Sequence, residues 1–423
     1  MKTIPKIGHL DASVTVPPSK SYSVRALLLA AMAEGTTLVT NCLDSDDPRY
    51  ALEALRTIGF EISGSFKEGL RIGERKTMSA NEVPLFVGNA GTAMRFLTGW
   101  LSFMPGRFLL EGEQRMYERP ISDLVDVLMA IGGEVEYAGK EGYPPLRIRG
   151  KRMRGGFHVP ISAQTSSQFA SSLMMAGATM PEGITLEITS LASASYLNIT
   201  ADILRAFGAE VRREGNSISV RAARLHRDEY RVEGDYSSAS YWFAAAAATG
   251  GTMHVRGLAH PTAQGDAAFL DILTRMGCQV IIDEEGTVTV TGTNELRGGT
   301  FDCNSSPDLV PTLAAIAPLA SSPVEIVNVA NLRVKESDRL ATITQELRKL
   351  GTTVVENAGS LRIEPGWSSE AVTVETHNDH RIAMAFAIAG LARGGVTIAN
   401  EGVVSKSYPR FWRTLGEVVP GFA

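Results

Sequence analysis

Six short polar sequences hold most of the side chains that could do chemistry, and each of them opens an apolar stretch. They are SKSYSVR, GNAGTAMR, TSSQF, GDYSSASY, SSPDL and NDHR, beginning at residues 19, 88, 165, 234, 305 and 378. The N-terminus of a helix offers free backbone N–H groups and about half a unit of positive charge. If the six apolar stretches are helices, their first turns are therefore candidate sites for anions.

Lysine and arginine gather at the same positions or just before the neighbouring, more polar helices. The candidates are Lys20, Arg25, Arg95, Arg119, Lys335, Arg339, Arg381 and Lys406. One arginine at a helix start is usually a solvated side chain, but recurrence at nearly every corresponding position favours a site for one or two substrates with several negative groups. The net charge of −5 means that local groups must hold these anions. The same charge balance disfavours nucleic acid as a partner.

Few residues in these polar sequences could transfer protons. Asp308 lies at the start of an apolar helix, where a lone carboxylate is most often a cap. Glu336 lies in the charged run 333–339, where an ion-pair network is the alternative interpretation. His380 belongs to the cluster 378–381, and there a structural hydrogen bond is as good an interpretation as proton transfer. No cysteine lies in any of the six sequences, which argues against a thiolate nucleophile.

Several other kinds of site are excluded by residue spacing. The sequence Ser19-Lys20-Ser21 lacks the glycines of a P-loop, and no dinucleotide-binding fingerprint follows a predicted strand. No His, Cys or acidic residues have the spacing of a zinc site. We therefore predict neither a cofactor nor a metal. The three cysteines form no CxxC pair and the N-terminus has no apolar segment, so we expect reduced thiols in a cytoplasmic protein. We also expect a monomer.

A glycine-led step from a helix into a strand recurs six times along the chain. The glycines are Gly59, Gly132, Gly208, Gly277, Gly351 and Gly416, about 65 to 76 residues apart. Glycine just after a helix adopts the left-handed conformation of a C-terminal cap without steric cost. This period exceeds that of an open solenoid, which indicates internal repeats within globular domains.

The six polar sequences open six helices that are apolar nearly all round, which predicts that they are buried. Short strands are predicted near 69–74, 144–150, 217–222, 287–292 and 360–365, and the N-terminal strand at 12–17 is predicted to complete the sixth unit. The sequence thus predicts an α/β protein in which each of two domains has three repeated βαβαβ-type units around buried parallel helices. The predicted domains are 1–18 plus 231–423, and 19–230.

Three motifs are long enough to be specific: Gly88–Arg95, Arg333–Arg339 and Asn378–Arg381. With Ser19-Lys20-Ser21 and Lys406, they resemble the family of 3-phosphoshikimate 1-carboxyvinyltransferase, or EPSP synthase, over the full length of the chain. That family has two inside-out α/β domains of three repeats each, with the active site in the cleft between them. The resemblance implies transfer of the enolpyruvyl group of phosphoenolpyruvate to the 5-hydroxyl of shikimate 3-phosphate, in the pathway to chorismate and aromatic amino acids that glyphosate inhibits.

The resemblance also assigns residues to the two substrates. For shikimate 3-phosphate, on the 19–230 side, it implies Lys20, Ser21, Arg25, Ser166, Ser167, Gln168, Ser193, Asp308, Asn331 and Lys335. For phosphoenolpyruvate, on the other side, it implies Lys20, Gly91, Arg119, Gln168, Arg339, Arg381 and Lys406. Asp308 would accept a proton, Glu336 would donate one, and Lys20 would be the third catalytic residue. Further candidates are Tyr196, Arg95 and His380.

Two alternatives share the scaffold. Enolpyruvyl transferases that act on UDP-N-acetylglucosamine usually carry a loop cysteine, and Lys-Asn where this chain has Lys20-Ser21. A non-catalytic phosphoanion-binding relative would be expected to lose Asp308, Glu336 or Lys335, and all three are present. The resemblance implies small-molecule substrates and no membrane partner.

Overall fold

The computed structural model describes residues 1–76, 81–191, 193–221 and 224–422. Contacts within the chain divide it into two compact units, each of which is described by itself. Unit 1 comprises Met1–Ser19 and Glu233–Ala423, and unit 2 comprises Lys20–Val232. None of the helices within the described ranges is long and apolar enough to cross a membrane.

The helices alternate between apolar and more polar ones along the chain, as the sequence predicts. They are α1 (Lys20–Met32), α2 (Asp46–Ile58), α3 (Gly91–Leu101), α4 (Ser122–Ala130), α5 (Gln168–Gly177), α6 (Ser195–Ala206), α7 (Tyr236–Thr249), α8 (Phe269–Arg275), α9 (Val310–Ile316), α10 (Arg339–Lys349), α11 (His380–Arg393) and α12 (Phe411–Val418). Short 3₁₀ helices cover Gln114–Glu118, Gly265–Ala268, Pro307–Leu309, Ala317–Leu319, Ala330–Val334 and Glu401–Lys406.

The strands are short, with three to eight residues each. They are β1 (Lys2–Ile4), β2 (Asp11–Thr15), β3 (Thr37–Thr40), β4 (Phe60–Ser65), β5 (Gly69–Arg75), β6 (Val83–Phe86), β7 (Gly106–Glu111), β8 (Glu134–Tyr137), β9 (Leu146–Gly150), β10 (Phe157–Ala163), β11 (Ile184–Leu191), β12 (Glu210–Glu214), β13 (Ser217–Arg221), β14 (Glu229–Arg231), β15 (Thr252–Arg256), β16 (Gln279–Ile282), β17 (Val288–Thr291), β18 (Gly299–Asp302), β19 (Val324–Val327), β20 (Val354–Glu356), β21 (Leu361–Ile363), β22 (Val372–Val374) and β23 (Val396–Ile398). All five predicted closing strands are present, as β5, β9, β13, β17 and β21; position 222 of the third prediction lies outside the described residues.

Five sheets repeat one arrangement, in which a parallel pair of strands is followed by two antiparallel neighbours. Unit 2 holds the sheets β14-β3-β5-β4, β6-β7-β9-β8 and β10-β11-β13-β12. Unit 1 holds β2-β15-β17-β16, β18-β19-β21-β20 and the three-stranded sheet β22-β23-β1. In most of these sheets the two parallel strands are joined through one of the apolar helices, because a parallel connection needs a long crossover. Three repeats per unit are therefore confirmed.

The N-terminal strands differ from the prediction in their partners. The strand predicted at 12–17 is β2, and it pairs in parallel with β15, from Asp11 opposite Thr252 to Thr15 opposite Arg256. It therefore belongs to the first sheet of unit 1 rather than the last. The last sheet is completed instead by β1, antiparallel to β23. In unit 2 the corresponding leading position is filled by β14, which pairs in parallel with β3.

The apolar helices are buried in the core of their units. In unit 1, α7, α9 and α11 pack on one another, and α11 is buried from His380 to Leu391. In unit 2, α3 packs closely on α5. Their contact needs a small residue, because a methyl group at Gly99 would overlap the Ser172 hydroxyl. Full burial of one large apolar side chain stabilises the fold by about 1.5–3 kcal/mol, so these helices are a main source of stability.

Five of the six predicted glycine caps are confirmed. Gly59, Gly132, Gly208, Gly277 and Gly351 have φ values of 104°, 91°, 95°, 104° and 85°. The prediction for Gly416 is wrong, because this residue lies inside α12, which continues to Val418. The five helices that end at these glycines (α2, α4, α6, α8 and α10) are each followed directly by a strand. In contrast, α12 is followed by no strand in the described residues up to 422, so no left-handed turn is required there.

Candidate active site

In unit 2, the starts of α3 and α5 are joined through charged and amide side chains. Arg95 Nη1 donates to Gln168 Oε1 at 2.6 Å, and Gln168 Nε2 donates to Thr92 Oγ1 at 3.1 Å. The Ser172 hydroxyl donates to the Arg95 carbonyl at 2.6 Å. Two of the predicted residues, Arg95 and Gln168, are thus brought together at adjoining helix starts.

Arg119 lies against the first residue of α3. Its Nη1 donates to both the carbonyl and the side-chain oxygen of Asn89, at 3.1 and 3.0 Å. A Cβ atom at Gly91 would lie only 2.6–2.9 Å from the Arg119 guanidinium. Glycine is therefore the residue that lets this buried cation reach the helix N-terminus, and the two together form a candidate anion-binding feature.

Arg25 is a buried cation with neutral hydrogen-bond acceptors. It is 1% exposed, and it donates to Thr200 Oγ1 at 2.9 Å, to the Ser21 carbonyl at 3.0 Å and to the Tyr196 carbonyl at 3.3 Å. Burial lowers the pKa of Arg25 to about 10, which the neighbouring Tyr196 and Tyr22 offset only in part. An anion bound beside this guanidinium would favour its charged form, because the anion would supply a negative counter-charge at a buried position.

The remaining predicted residues of unit 2 lie at helix starts. Lys20 is the first residue of α1, with its Nζ 3.4 Å from Asp47 Oδ2. Ser166 and Ser167 are buried just before α5, where the Ser166 hydroxyl accepts from the backbone N–H of Gln168 at 3.3 Å. Ser193 precedes α6 in a left-handed conformation, with φ of 61°. These positions place hydroxyl groups at the N-terminal ends of helices, an arrangement that suits a phosphate.

In unit 1, one guanidinium joins the two predicted proton-transfer residues. Arg339 is 1% exposed; its Nη1 donates to Asp308 Oδ1 at 2.7 Å and its Nη2 to Glu336 Oε2 at 2.9 Å. Its Nε donates to Asp379 Oδ2 at 2.7 Å. Burial lowers the pKa of Arg339, but the three carboxylates outweigh this effect and the net pKa is raised. The ion-pair network expected around Glu336 therefore exists and includes the candidate acid and base.

Arg381 completes this cluster from the first turn of α11. Its Nη2 donates to Asp308 Oδ2 at 2.7 Å, so Asp308 lies between two guanidinium groups. A substrate carboxylate has the same charge and geometry as Asp308, and it would compete for these N–H groups.

Asp379 was not predicted as a site residue, although it is completely buried at the start of α11. Its side chain caps the helix by accepting from the backbone N–H of Arg381 at 3.0 Å, while it also binds Arg339. The capping position in Asn378-Asp379-His380-Arg381 was the signal that could have identified it. His380 is likewise fully buried, with Nδ1 3.6 Å from Asp379 Oδ1.

Asp266 is a second buried carboxyl, coupled to Asp308 by charge, that sequence reasoning missed. It is 7% exposed in the 3₁₀ helix Gly265–Ala268 and accepts a hydrogen bond from the Ser237 hydroxyl. Burial raises its pKa to about 7, the negative charge of Asp308 adds to this, and Arg381 opposes it. The Ser306 hydroxyl ties the same turn to the segment that carries Asp308, by donating to the Gly265 carbonyl at 2.7 Å.

The other predicted residues of unit 1 lie on 3₁₀ segments. Asn331 is buried in Ala330–Val334, Lys335 follows this helix, and Lys406 is the buried last residue of Glu401–Lys406.

Within the described part of the chain, no group of three His, Cys, Asp or Glu side chains is arranged to hold a metal ion. The three cysteines are free and buried, and burial raises the pKa of Cys42 and Cys303 to about 12 and that of Cys278 to about 11.

Comparison with known proteins identifies the family. The model of the family described as EPSP synthase (3-phosphoshikimate 1-carboxyvinyltransferase) matches residues 4–415. The chain belongs to the EPSP synthase family. A 3-phosphoshikimate 1-carboxyvinyltransferase from Methanoculleus marisnigri is 42% identical over 416 residues, covering 97% of this chain and 98% of the relative. One from Aliivibrio fischeri is 41% identical over 423 residues, covering 98% and 99%.

A solved structure of EPSP synthase from Acinetobacter baumannii has the same fold. Its TM-score is 0.83 at 28% identity, and the match covers 99% of this chain and 97% of that structure. The resemblance inferred from the sequence motifs is thus confirmed, as is the α/β fold class. As a member of the EPSP synthase family, the chain is a transferase of the shikimate pathway.

Proposed function

We propose that Asp308, Glu336 and Lys20 carry out the chemistry of the EPSP synthase reaction in this chain. The reaction transfers the enolpyruvyl group of phosphoenolpyruvate to the 5-hydroxyl of shikimate 3-phosphate and releases phosphate. The observation that carries the assignment is the geometry of Arg339, which bonds the candidate base at 2.7 Å and the candidate acid at 2.9 Å. Both proton-transfer groups are therefore adjacent to a cation that can hold the donor substrate.

Unit 2 contributes mainly to shikimate 3-phosphate. Arg25 would hold the ring carboxylate, because its burial and neutral acceptors leave its charge uncompensated. Ser166, Ser167 and Ser193 would hold the phosphate, with Lys20 and Ser21 beside them. The further predicted contacts with this substrate are Tyr196 and Gln168 from unit 2, and Asp308, Asn331 and Lys335 from unit 1.

Phosphoenolpyruvate would be held by cations at helix starts. Arg339, Arg381 and Lys406 are the contributions of unit 1. The contributions of unit 2 are Arg119 with the adjoining Gly91, and also Lys20, Gln168 and Arg95. Fixed guanidinium and backbone N–H groups stabilise a phosphate as negative charge develops on it, which is often the largest single contribution to catalysis.

The mechanism follows from the chemistry of an enol phosphate. Glu336 would protonate the methylene carbon, so that the neighbouring carbon gains oxocarbenium character. The 5-hydroxyl attacks this carbon while Asp308 takes its proton, and a tetrahedral ketal forms. Phosphate would then leave with the proton that Asp308 had taken, while Glu336 takes a proton back from the methyl group, which restores the double bond and the starting state of both side chains. Each acid or base step contributes about 10²–10⁴-fold to the rate.

The test is phosphate release from phosphoenolpyruvate by the purified chain, with no added metal or nucleotide. We expect release only when shikimate 3-phosphate is also present. Activity with UDP-N-acetylglucosamine as acceptor, or no activity with either, would contradict the assignment.

The roles of the two carboxylates are tested by Asp308→Asn and Glu336→Gln, which keep the side-chain shape. Each should lower kcat by roughly 10²-fold or more. In Asp308→Asn the KM for phosphoenolpyruvate should not rise in proportion, since the competitor for Arg381 is lost along with the base. Turnover within a few-fold of wild type in both variants would show that these residues only balance charge.

A further inference from the structure

Glu346 is a fully buried carboxylate on α10. Its hydrogen-bond partners lie on its own helix and in the segment that precedes α11. Its Oε2 accepts from the backbone N–H of Glu375 at 3.1 Å, and its Oε1 lies 3.2 Å from His377 Nε2. Lys349 Nζ supplies a counter-charge at 2.8 Å from both oxygens. A buried carboxylate is costly unless its oxygens are satisfied, so these contacts are strongly constrained.

Glu346 shares a helix face with Arg339. The two are seven residues apart, which is close to two turns at 3.6 residues per turn, so their side chains point to the same side of α10. Arg339 holds Asp379, and Glu346 holds Glu375 and His377. One face of α10 therefore fixes both ends of the segment 375–379.

That segment sets the position of the first turn of α11. His377 and Asn378 both have left-handed backbone conformations, with φ of 49° and 56°. Such conformations persist only when surrounding contacts hold them. Asn378 is held further by Asn400, whose Nδ2 donates to its Oδ1 at 2.8 Å, immediately before the 3₁₀ helix that ends at Lys406.

We infer that Glu346 is a positioning residue for phosphoenolpyruvate binding, which acts through the segment 375–379 on Asp379 and Arg381. The inference rests on the role proposed above for Arg381. Glu346 itself binds no substrate; it fixes the turn from which the guanidinium projects. Displacing a binding group by about 1 Å can cost up to 10²-fold, so loosening this turn should be visible in kinetics.

The experiment compares steady-state kinetics of Glu346→Gln and wild type with each substrate varied in turn. Glutamine has one acceptor oxygen, so it keeps both contacts to the segment only if its NH₂ group donates to an unprotonated His377 Nε2, and that NH₂ group would then face the Lys349 ammonium without being able to accept from it. We expect KM for phosphoenolpyruvate to rise about tenfold, while KM for shikimate 3-phosphate stays within twofold. His377→Asn, which tolerates a left-handed backbone but cannot reach Glu346, should shift the same KM in the same direction.

Lys349→Met is the matched control, because it removes the counter-charge and leaves the contacts to the segment. It should lower the melting temperature with KM for phosphoenolpyruvate within twofold of wild type. An equal rise in KM in this control, or equal rises for both substrates in Glu346→Gln, would overturn the inference. If Glu346→Gln does not fold, an unchanged KM for phosphoenolpyruvate in His377→Asn would overturn the inference instead.

Arg381→Gln separates failure of this inference from failure of the proposed function. It should raise KM for phosphoenolpyruvate more than Glu346→Gln does. A normal KM in Arg381→Gln would overturn the role of Arg381 and the inference with it. A raised KM in Arg381→Gln with a normal one in folded Glu346→Gln would overturn the inference alone.

Discussion

Asp266 should make the free energy of unfolding fall as the pH rises toward and through neutrality, and Asp266→Asn should remove this fall. The carboxyl is 7% exposed and accepts a hydrogen bond from Ser237. Burial is the main reason that its pKa rises from 3.8 to about 7, and the charge of Asp308 is the second. Asparagine keeps the shape and the acceptor for Ser237 but has no charge to bury.

The sign follows from proton binding. Between pH 4 and 7 the folded protein keeps the Asp266 proton while the unfolded chain has lost it, so stability falls as the pH rises. The contribution is fully present below the unfolded pKa and is lost as the pH passes through the folded one. A difference of about 3 pKa units corresponds to roughly 4 kcal/mol at about 1.4 kcal/mol per unit, which is an upper bound because the neighbouring carboxylate and guanidinium can relax.

Urea unfolding at a series of pH values from 5 to 8.5 measures this contribution. The loss of stability over this range should be smaller in Asp266→Asn than in wild type by about 1–3 kcal/mol, because only about two of the three pKa units lie above pH 5. Asp271→Asn, an exposed carboxylate in the same unit, is the control and should behave like wild type. Parallel pH profiles for wild type and Asp266→Asn would refute the reasoning, since Asp266 would then be ionised throughout the range.

Two glycine substitutions test packing at α3. Gly91→Ala should push the Arg119 guanidinium away, because the new Cβ would lie 2.6 Å from Nη2. We expect the glyphosate inhibition constant to rise roughly tenfold or more, which corresponds to about 1.4 kcal/mol. The KM for phosphoenolpyruvate should rise less, since glyphosate is the longer molecule. Equal rises would show that the glycine serves the backbone alone. Gly99→Ala should lower stability by about 1–3 kcal/mol through overlap with Ser172, as measured by thermal unfolding against Gly402→Ala, where no atom lies within 4 Å. A melting temperature equal to that of the control would mean that α3 and α5 separate easily.

The repeated architecture could be predicted because its signals are local. A helix that ends at glycine and a strand that follows within a few residues depend on backbone conformation, and five of the six glycines have the predicted positive φ. The partner of an N-terminal strand depends instead on tertiary structure. Nothing in Asp11–Thr15 distinguishes β15 from β23 as a neighbour, since either offers a short β-branched strand.

The site shows the same division between local and distant information. Positive side chains at helix starts are visible in the sequence because they are adjacent to the caps. Their counter-ions are not, because Arg339 pairs with Asp308 and Asp379 at separations of 31 and 40 residues. Asp266 and Glu346 occupy ordinary helical positions, and their importance comes only from burial against groups far along the chain.

The cations of the two units differ in a way that bears on how the base becomes active. Arg25 bonds to neutral oxygens, so an anion can join it without displacing an ion pair. Arg339 and Arg381 instead share Asp308, at 2.7 Å each. A carboxylate held by two guanidinium groups is a poor base, because their charges favour its ionised form. If Asp308 is the base, as proposed above, a substrate carboxylate that takes over these N–H groups would release it to accept a proton. Binding of the donor and activation of the base would then be one event, and for this reason loss of Asp308 should affect kcat far more than KM.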